Sequence, residues 1–445
     1  MLFLPVSLVI YGISEFKSKK ICLLIFSIAF LLLNNIYFAS AILFLSCLVW
    51  ITGRIISALK NKILRKSILI LSVLVDIFIL FAVHSEYWDM ICSNYILFPF
   101  GISFFVIQSY LYLRDCCHDK IYFKAEFIDT LLYLIYFPKF LMGPVMTYDH
   151  FIAVLNKRKM TYRAIANGFS DYMVGFSFKI IIADSLYKMI SSIIRNQMGN
   201  ISISLAWFMA VAFFMYVYFI FYSYSKMADG ISKMFGISIM KNTSPYIMCE
   251  SLDEFQKSYN RSVMIFFDKS YSDISDSKAY LNFVKPVFIW ISYGLWYGFN
   301  ILSLVFGAIM GLFTAIENFV YKKKKHKPQI IRRIIIFIFL VVLFVFLMPC
   351  NVNETVEIYA SMVGIGNDFY NDVTIYYFKE YLIIFIIAIV AIINEGKSYQ
   401  NFIKKKNKND EKYIGTIYSA RLILFLCAII MLIRENGCSP SQILL

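Results

Sequence analysis

Side chains able to move protons are sparse in the apolar stretches of this chain. It has four histidines, His84, His118, His150 and His326. His326 lies in the basic run Lys322 to Lys327 and reads as a solvated loop residue. His84 ends an apolar run beside an outward loop, and His118 follows Arg114-Asp115, which reads as a local ion pair at a helix end. His150 comes soon after Gly143-Pro144. Asp184 differs from these. It closes an apolar run, and an acid at membrane depth is costly enough to mark a functional position, although the end of a helix at the interface accommodates it equally. The nine cysteines lack metal-ligand spacing: Cys116-Cys117 is adjacent, and Cys22, Cys47 and Cys427 read as small packing residues. No metal site is expected. Cys350 and Cys438 both fall where the chain faces outward, which leaves a disulfide open.

The elements that must position these groups follow from composition. Of 445 residues, 60% are hydrophobic and 16% charged, and the apolar residues come in continuous runs. Lipid leaves backbone groups no partner except a helix ladder or a closed barrel, and continuous rather than alternating runs select helices. Such runs fall near 2–15, 21–33, 36–53, 67–83, 94–113, 127–144, 168–191, 203–225, 286–300, 301–320, 331–349, 376–394 and 415–434. The expected fold class is all-α, a polytopic integral membrane helical bundle of about 11–13 segments, including re-entrant elements. Pro138, Gly143 and Pro144 predict a broken or re-entrant element over 127–144, and Asn242 to Pro286 reads as amphipathic helices and loops. The N-terminal run from Leu2 to Ile13 lacks a basic leader region and reads as a first membrane helix.

The formal charge of +15 sits in loops: Lys17 to Lys20, Arg54 to Lys66, Lys157 to Arg163, Lys322 to Arg333 and Lys404 to Lys412. That pattern marks cytoplasmic loops of a multi-pass membrane protein and argues against a nucleic-acid partner. Asn351 to Asp372 carries Glu354, Glu357, Asp368 and Asp372 without Lys or Arg, and should face outward. No internal repeat is evident, which disfavours an inverted-repeat transporter.

Several ordered motifs carry a family resemblance. Phe98-Pro99-Phe100-Gly101-Ile102-Ser103-Phe104-Phe105 followed by Asp115 is similar to P-L-G-I-S-F-F and a later aspartate. Phe137-Pro138-Lys139 with Gly143-Pro144 is similar to F-F-P-Q…A-G-P, and Gly175 through Lys179 to Ala183-Asp184 to G-L-x-K-K…A-D. Tyr218-Phe219 through Gly230 resembles Y-F-D-F-S-G-Y-S-D-M-A-I-G, Asn242 with Pro245-Tyr246 resembles N-F-N-x-P-Y, and Glu254-Phe255 opens E-F-W-R-R-W-H. Ser292 to Gly298 resembles S-G-L-W-H-G. Together they resemble the membrane-bound O-acyltransferase family, in the branch of the alginate O-acetylation and teichoic acid D-alanine transfer proteins. The match runs from roughly residue 95 to 370 of a single membrane domain over 1–445, with 1–94 and 371–445 as flanking helices.

The resemblance implies acyl transfer, acetyl above all, from a cytoplasmic acyl-CoA or other thioester toward a cell-envelope polysaccharide, with membrane lipid and an extracytoplasmic SGNH-type acetyltransferase or polysaccharide machinery as partners. No bound cofactor is implied. The family's catalytic histidine falls at Tyr297 and its other histidine at Asn260; Trp296, Tyr259, Asp184 and Lys179 are expected to line the site or its tunnel. The aspartates of the Y-F-D-F motif fall at Ile220 and Lys226. Imidazole titrates near neutral pH, whereas a phenol with an ordinary pKa of ~10 is ionised about once in a thousand at pH 7. Tyr297 is therefore a structural aromatic, a phenol that carries the acyl group or donates to its carbonyl, or a residue that shapes a site whose base lies elsewhere; a cation such as Lys179 or Lys226 beside it would favour its ionised form. The alternative functions are a catalytically inactive scaffold or acyl conduit, and a transporter or flippase of an envelope lipid or glycan.

Overall fold

The computed structural model describes residues 3–434 except 17, 84–100, 119–125, 141–142, 240–241, 243–245, 275–280, 322–329, 366–367 and 396–410. Expectations that rest on Pro99, Pro245, His84, His326 and Cys438 lie outside the described residues. Among the described residues every regular element is a helix. Six of these helices are long and apolar enough to cross a membrane: Ile36–Ala58, Ile203–Met234, Ile301–Val320, Ile330–Leu347, Asp372–Asn394 and Gly415–Arg434. The chain is a multi-pass, all-helical membrane protein. It divides into two compact units.

Unit 1 comprises Met1–Tyr172 and Ser225–Lys241. It holds α1 (Phe3–Ile13), α2 (Lys19–Asn34), α3 (Ile36–Ala58), α4 (Lys62–Val83), α5 (Ile102–Cys117), α6 (Phe127–Ile135) and α7 (Tyr148–Asn156), and the start of α8 (Tyr162–Ser177). Asn35 alone separates α2 from α3. Its side chain accepts from the backbone N–H groups of Tyr37 and Phe38, satisfying donors that the first turn of a helix leaves open. The break expected over 127–144 is present. After α6 comes a single turn, Phe137–Phe140, and then irregular chain over Gly143–Thr147. Tyr133 donates to the Met146 carbonyl at 2.7 Å and so holds that irregular chain. Lys139 is fully buried in the break, its Nζ 4.2 Å and 4.4 Å from the ring centres of Tyr133 and Phe151. Arg114 and Asp115 form the expected local pair at 3.5 Å.

Unit 1 also contains an ionic cluster. Lys226 Nζ lies 3.2 Å from Asp171 Oδ1, and Lys233 Nζ lies 2.6 Å from Asp171 Oδ2 and 2.7 Å from Asp229 Oδ2. Gly168 and Gly230 let the two strips of helix that carry these residues touch backbone to backbone, since a Cβ on either would sit 2.5 Å from the other's carbonyl oxygen.

Unit 2 comprises Met173–Tyr224 and Asn242–Leu445. A π-helical segment, Phe178–Ala183, joins the end of α8 to α9 (Asp184–Gln197), followed by α10 (Ile203–Met234), of which residues 203–224 belong to this unit. Two short helices, α11 (Leu252–Ser258) and α12 (Arg261–Ile274), occupy the stretch expected to be amphipathic. Then come α13 (Leu281–Tyr297), α14 (Ile301–Tyr321), α15 (Ile330–Phe344), α16 (Val352–Val363), α17 (Asp372–Glu395) and α18 (Glu411–Arg434). The hairpin of α13 and α14 is the most intimate pairing. A Cβ on Gly294 would lie 2.3 Å from the Ser303 carbonyl oxygen, and one on Gly307 would lie 2.4 Å from that of Trp290. Small residues at such crossings supply the van der Waals contact that stands in for a hydrophobic driving force inside lipid. This fixes α13, and with it the face that carries Trp290, Tyr293 and Tyr297.

Candidate functional site

The site is built where α11 gives way to α12. Ser251 caps α11 by accepting from the Glu254 backbone N–H at 2.9 Å, and the helix runs to Ser258. Asn260 then takes φ +39°, the one positive value for a non-glycine residue among the described residues. Asparagine tolerates this left-handed region better than most side chains, yet the conformation costs of order 1 kcal/mol and persists only where surroundings enforce it.

Asn242 enforces it. Its carbonyl oxygen accepts from the Arg261 N–H at 2.8 Å, its Oδ1 from the Ser262 N–H at 2.9 Å, and its Nδ2 donates to Asn260 Oδ1 at 3.1 Å. The chain of bonds also fixes which way each amide points. Asn242 Oδ1 must face a backbone donor, so its NH₂ faces Asn260; Asn260 must then present Oδ1 to Asn242 and turn its own NH₂ away. That Nδ2 is buried and has no acceptor. The Tyr293 hydroxyl lies near it without making a hydrogen bond.

Tyr293 joins the parts. Its hydroxyl donates to the Tyr259 hydroxyl at 2.9 Å, and both rings are fully buried. Its ring centre is 5.6 Å from that of Tyr259, 5.4 Å from Trp296 and 6.5 Å from Tyr297, one helical turn further along α13. Tyr246 packs on Tyr259 at 5.2 Å, and Trp290 on Tyr293 at 5.7 Å. The Tyr246 hydroxyl and the Trp290 Nε1 are buried without a partner, as Asn260 Nδ2 is. Three buried donors thus meet no acceptor around one knot of aromatic rings. Burial, reinforced by the neighbouring phenols, holds the Tyr259 hydroxyl well above the ordinary tyrosine range. It stays protonated and accepts from Tyr293.

The carboxylate expected at 184 is placed differently from a helix end. Asp184 sits inside continuous helix, where its N–H donates to the Lys179 carbonyl in the i to i+5 pattern of the π segment. The same wide turn brings Lys179 Nζ to 3.1 Å from Asp184 Oδ2, and both side chains are buried. A π bulge that buries an ion pair is a recurrent mark of a functional position. Tyr216 lies within electrostatic reach of both Asp184 and Tyr297. All six residues expected in the site, Tyr297, Asn260, Trp296, Tyr259, Asp184 and Lys179, therefore belong to unit 2. Tyr259, Asn260, Trp296 and Tyr297 meet through Tyr293, while Lys179 and Asp184 form a separate pair. Tyr297 is half-buried, unlike its neighbours. Lys226 pairs with Asp171 within unit 1. His118 and His150 are exposed residues of unit 1.

Sequence reasoning missed Tyr293, Asn242, Tyr246 and Trp290 as parts of the site. Tyr293 was signalled by its position four residues before Tyr297 on one helix. Asn242 and Tyr246 stood in a quoted motif without a role. Among the described residues, no three His, Cys, Asp or Glu side chains gather as a metal ion would require.

Similar proteins share most of this length. A probable alginate O-acetylase AlgI of Pseudomonas aeruginosa is 28% identical over 392 residues, covering 82% of this chain and 74% of that protein. Another probable alginate O-acetylase AlgI, from Pseudomonas syringae pv. tomato, is 26% identical over 390 residues with the same coverage. These are homologues. A peptidoglycan O-acetyltransferase of Helicobacter pylori is 21% identical over 309 residues, 61% of this chain and 58% of that protein. No family model matches the chain. The resemblance to membrane-bound O-acyltransferases, drawn first from short motifs, thus extends over most of the chain in homologues named as O-acetylases.

Proposed function

We propose that this chain transfers an acyl group, acetyl above all, from a thioester such as acetyl-CoA toward a polysaccharide of the cell envelope, working in the cytoplasmic membrane beside an SGNH-type acetyltransferase or other polysaccharide machinery. The observation that carries the reading is the gathering of Tyr297, Asn260 and Tyr259 around Tyr293 in a chain whose homologues are named as O-acetylases. In the reaction the acceptor hydroxyl attacks the thioester carbonyl. A C–O bond forms, the C–S bond breaks, the hydroxyl proton passes to a base and the thiolate leaves and takes up a proton.

The donors around Tyr293 suit the carbonyl oxygen of that step. Negative charge develops there, and preorganised N–H and O–H groups in a site without water stabilise it; removal of one such donor costs about 10²–10³ in rate. Asn260 Nδ2, already oriented by Asn242, is the donor we assign first. The phenols are poor bases, so the proton goes to the carboxylate of Asp184 or to a group of the acceptor's partner. Lys179 holds that carboxylate in place.

A second reading is favoured by one observation: Tyr297 stands where the motif has a histidine, and a phenol does not replace an imidazole as a base at neutral pH. On that reading the chain is an inactive scaffold or acyl conduit. Full-length protein in proteoliposomes with radiolabelled acetyl-CoA separates the two. Release of free thiol by the wild type, with at least a hundredfold fall in Asn260→Ala, supports transfer. No thiol release with any acceptor preparation, while the cell still needs the protein for envelope acetylation, supports the scaffold.

A further inference from the structure

A groove of about 500 Å³ opens in unit 1 between α1 and the residues that lead into α8. Leu8, Val9, Ile13, Met160 and Ile165 make its walls apolar, and Lys19 stands at its edge. Pockets of this size hold single small amphiphiles. The flanks are as informative as the walls. Residues 156–166 carry four cations, Lys157, Arg158, Lys159 and Arg163, and no acid; with Lys19 they outnumber Glu15, the acid in the link between Ile13 and Lys19. Lys157, Lys159 and Arg163 are exposed. Arg158 is buried beside them. Its guanidinium donates to the carbonyls of Leu155 and Phe16 at 2.7 Å and 2.6 Å and stacks on the Phe16 ring at 4.2 Å, while its Nε has no partner. Tyr162 is 93% exposed and Phe16 57%, large aromatics of the kind that sit at a membrane–water boundary.

We propose that this groove seats one anionic phospholipid, with an acyl chain along Val9, Ile13 and Ile165 and its phosphate held by Lys19 and the cations of 157–163. A neutral lipid would fill the apolar part and leave the cationic rim unanswered. A small anion would do the reverse. An amphiphile with a negative head answers both halves at once. The site is independent of the acyl-transfer reading, since it uses none of the residues around Tyr293.

The experiment is native mass spectrometry of the full chain, released from nanodiscs containing equal amounts of phosphatidylglycerol and phosphatidylcholine with matched chains. The wild type should retain phosphatidylglycerol at least about fivefold over phosphatidylcholine, the effect expected of one surface cation near anionic lipid. Lys19→Glu should bring the ratio near one while total retained lipid stays the same. Gly12→Leu should lower retention of both lipids. A Cβ at Gly12 meets Met160 Cε at 3.7 Å, an ordinary contact, so this change narrows the groove without a backbone clash. Ile165→Trp serves as the second groove variant if Gly12→Leu melts early. Equal retention by the wild type, or an unchanged ratio in Lys19→Glu, overturns the proposal. So does displacement of the retained lipid by palmitoyl-CoA at equimolar concentration, which would assign the groove to a soluble thioester.

Discussion

Two polar clusters among the described residues, one half-buried in unit 1 and one buried in unit 2, are built on opposite terms. In unit 1, Asp171, Lys226, Asp229 and Lys233 pair two acids with two bases, and each charge has an opposite charge within 3.2 Å. In unit 2, the group around Tyr293 has no formal charge, yet Asn260 Nδ2, the Tyr246 hydroxyl and Trp290 Nε1 find no acceptor. An unanswered buried donor costs about 1–3 kcal/mol, so a cluster that keeps three of them is poorly optimised for stability alone. The closed ionic cluster is complete within the fold. On the proposed function, the open neutral cluster awaits a guest with an acceptor atom, such as a thioester carbonyl.

The sharpest test of this contrast is removal of one member from the closed cluster. Asp171→Ala strips both lysines of a partner and leaves their charges in a half-buried helix crossing. Breaking a buried pair costs about 3–5 kcal/mol, and the partial exposure of these lysines lowers that to about 2–3. A thermal melt in detergent should show the loss directly. Acyl-donor turnover per folded molecule should stay within about twofold, because the cluster donates nothing to the reaction. A variant that melts normally but turns over poorly would break the comparison.

Next in size is Tyr293→Phe, which removes the hydroxyl that links the open cluster. Tyr259 loses its partner and stays buried, at a cost of about 1–2 kcal/mol. Turnover should fall by far more than this stability loss explains, since the ring that joins Tyr259, Trp296 and Tyr297 no longer carries a donor. Tyr246→Phe has the opposite sign. Its hydroxyl has no partner, so deleting it should stabilise the protein by about 1 kcal/mol, read as a rise in melting temperature. A fall would mean that the hydroxyl is answered and the cluster less open than drawn.

The two clusters also differ in how well the sequence announces them. Helices were legible from continuous apolar runs and charged loops, and the break over 127–144 from Pro138, Gly143 and Pro144. Tyr297 and Asn260 were named as candidates because short motifs preserve their order even where the side chains change. The π segment at Phe178–Ala183 was not, because hydropathy is the same for either helix; Asp184 consequently reads as a helix end and is found in mid-helix. The ionic cluster of unit 1 was missed for a related reason. Asp171 and Lys233 are 62 residues apart, and nothing local in either segment shows that Gly168 and Gly230 bring their helices into contact. Tyr293 was overlooked beside a more conspicuous neighbour, although the four-residue spacing to Tyr297 placed both on one face.

The smallest expected effect on stability is the most discriminating. Asn260→Gly relieves a left-handed backbone that costs of order 1 kcal/mol and forfeits a hydrogen bond from Asn242 worth about the same. It also removes a donor that had no partner. These terms nearly cancel, so the melting temperature should move by no more than a few degrees, within about 1 kcal/mol of the wild type. Turnover should nonetheless drop about a hundredfold, because the oriented Nδ2 is gone. Asp171→Ala changes stability and spares turnover; Asn260→Gly does the reverse. If Asn260→Gly instead melted early and turned over normally, the strained asparagine would be a hinge for the α11–α12 corner, and the donor to the carbonyl would have to be sought at Trp290 or Tyr297.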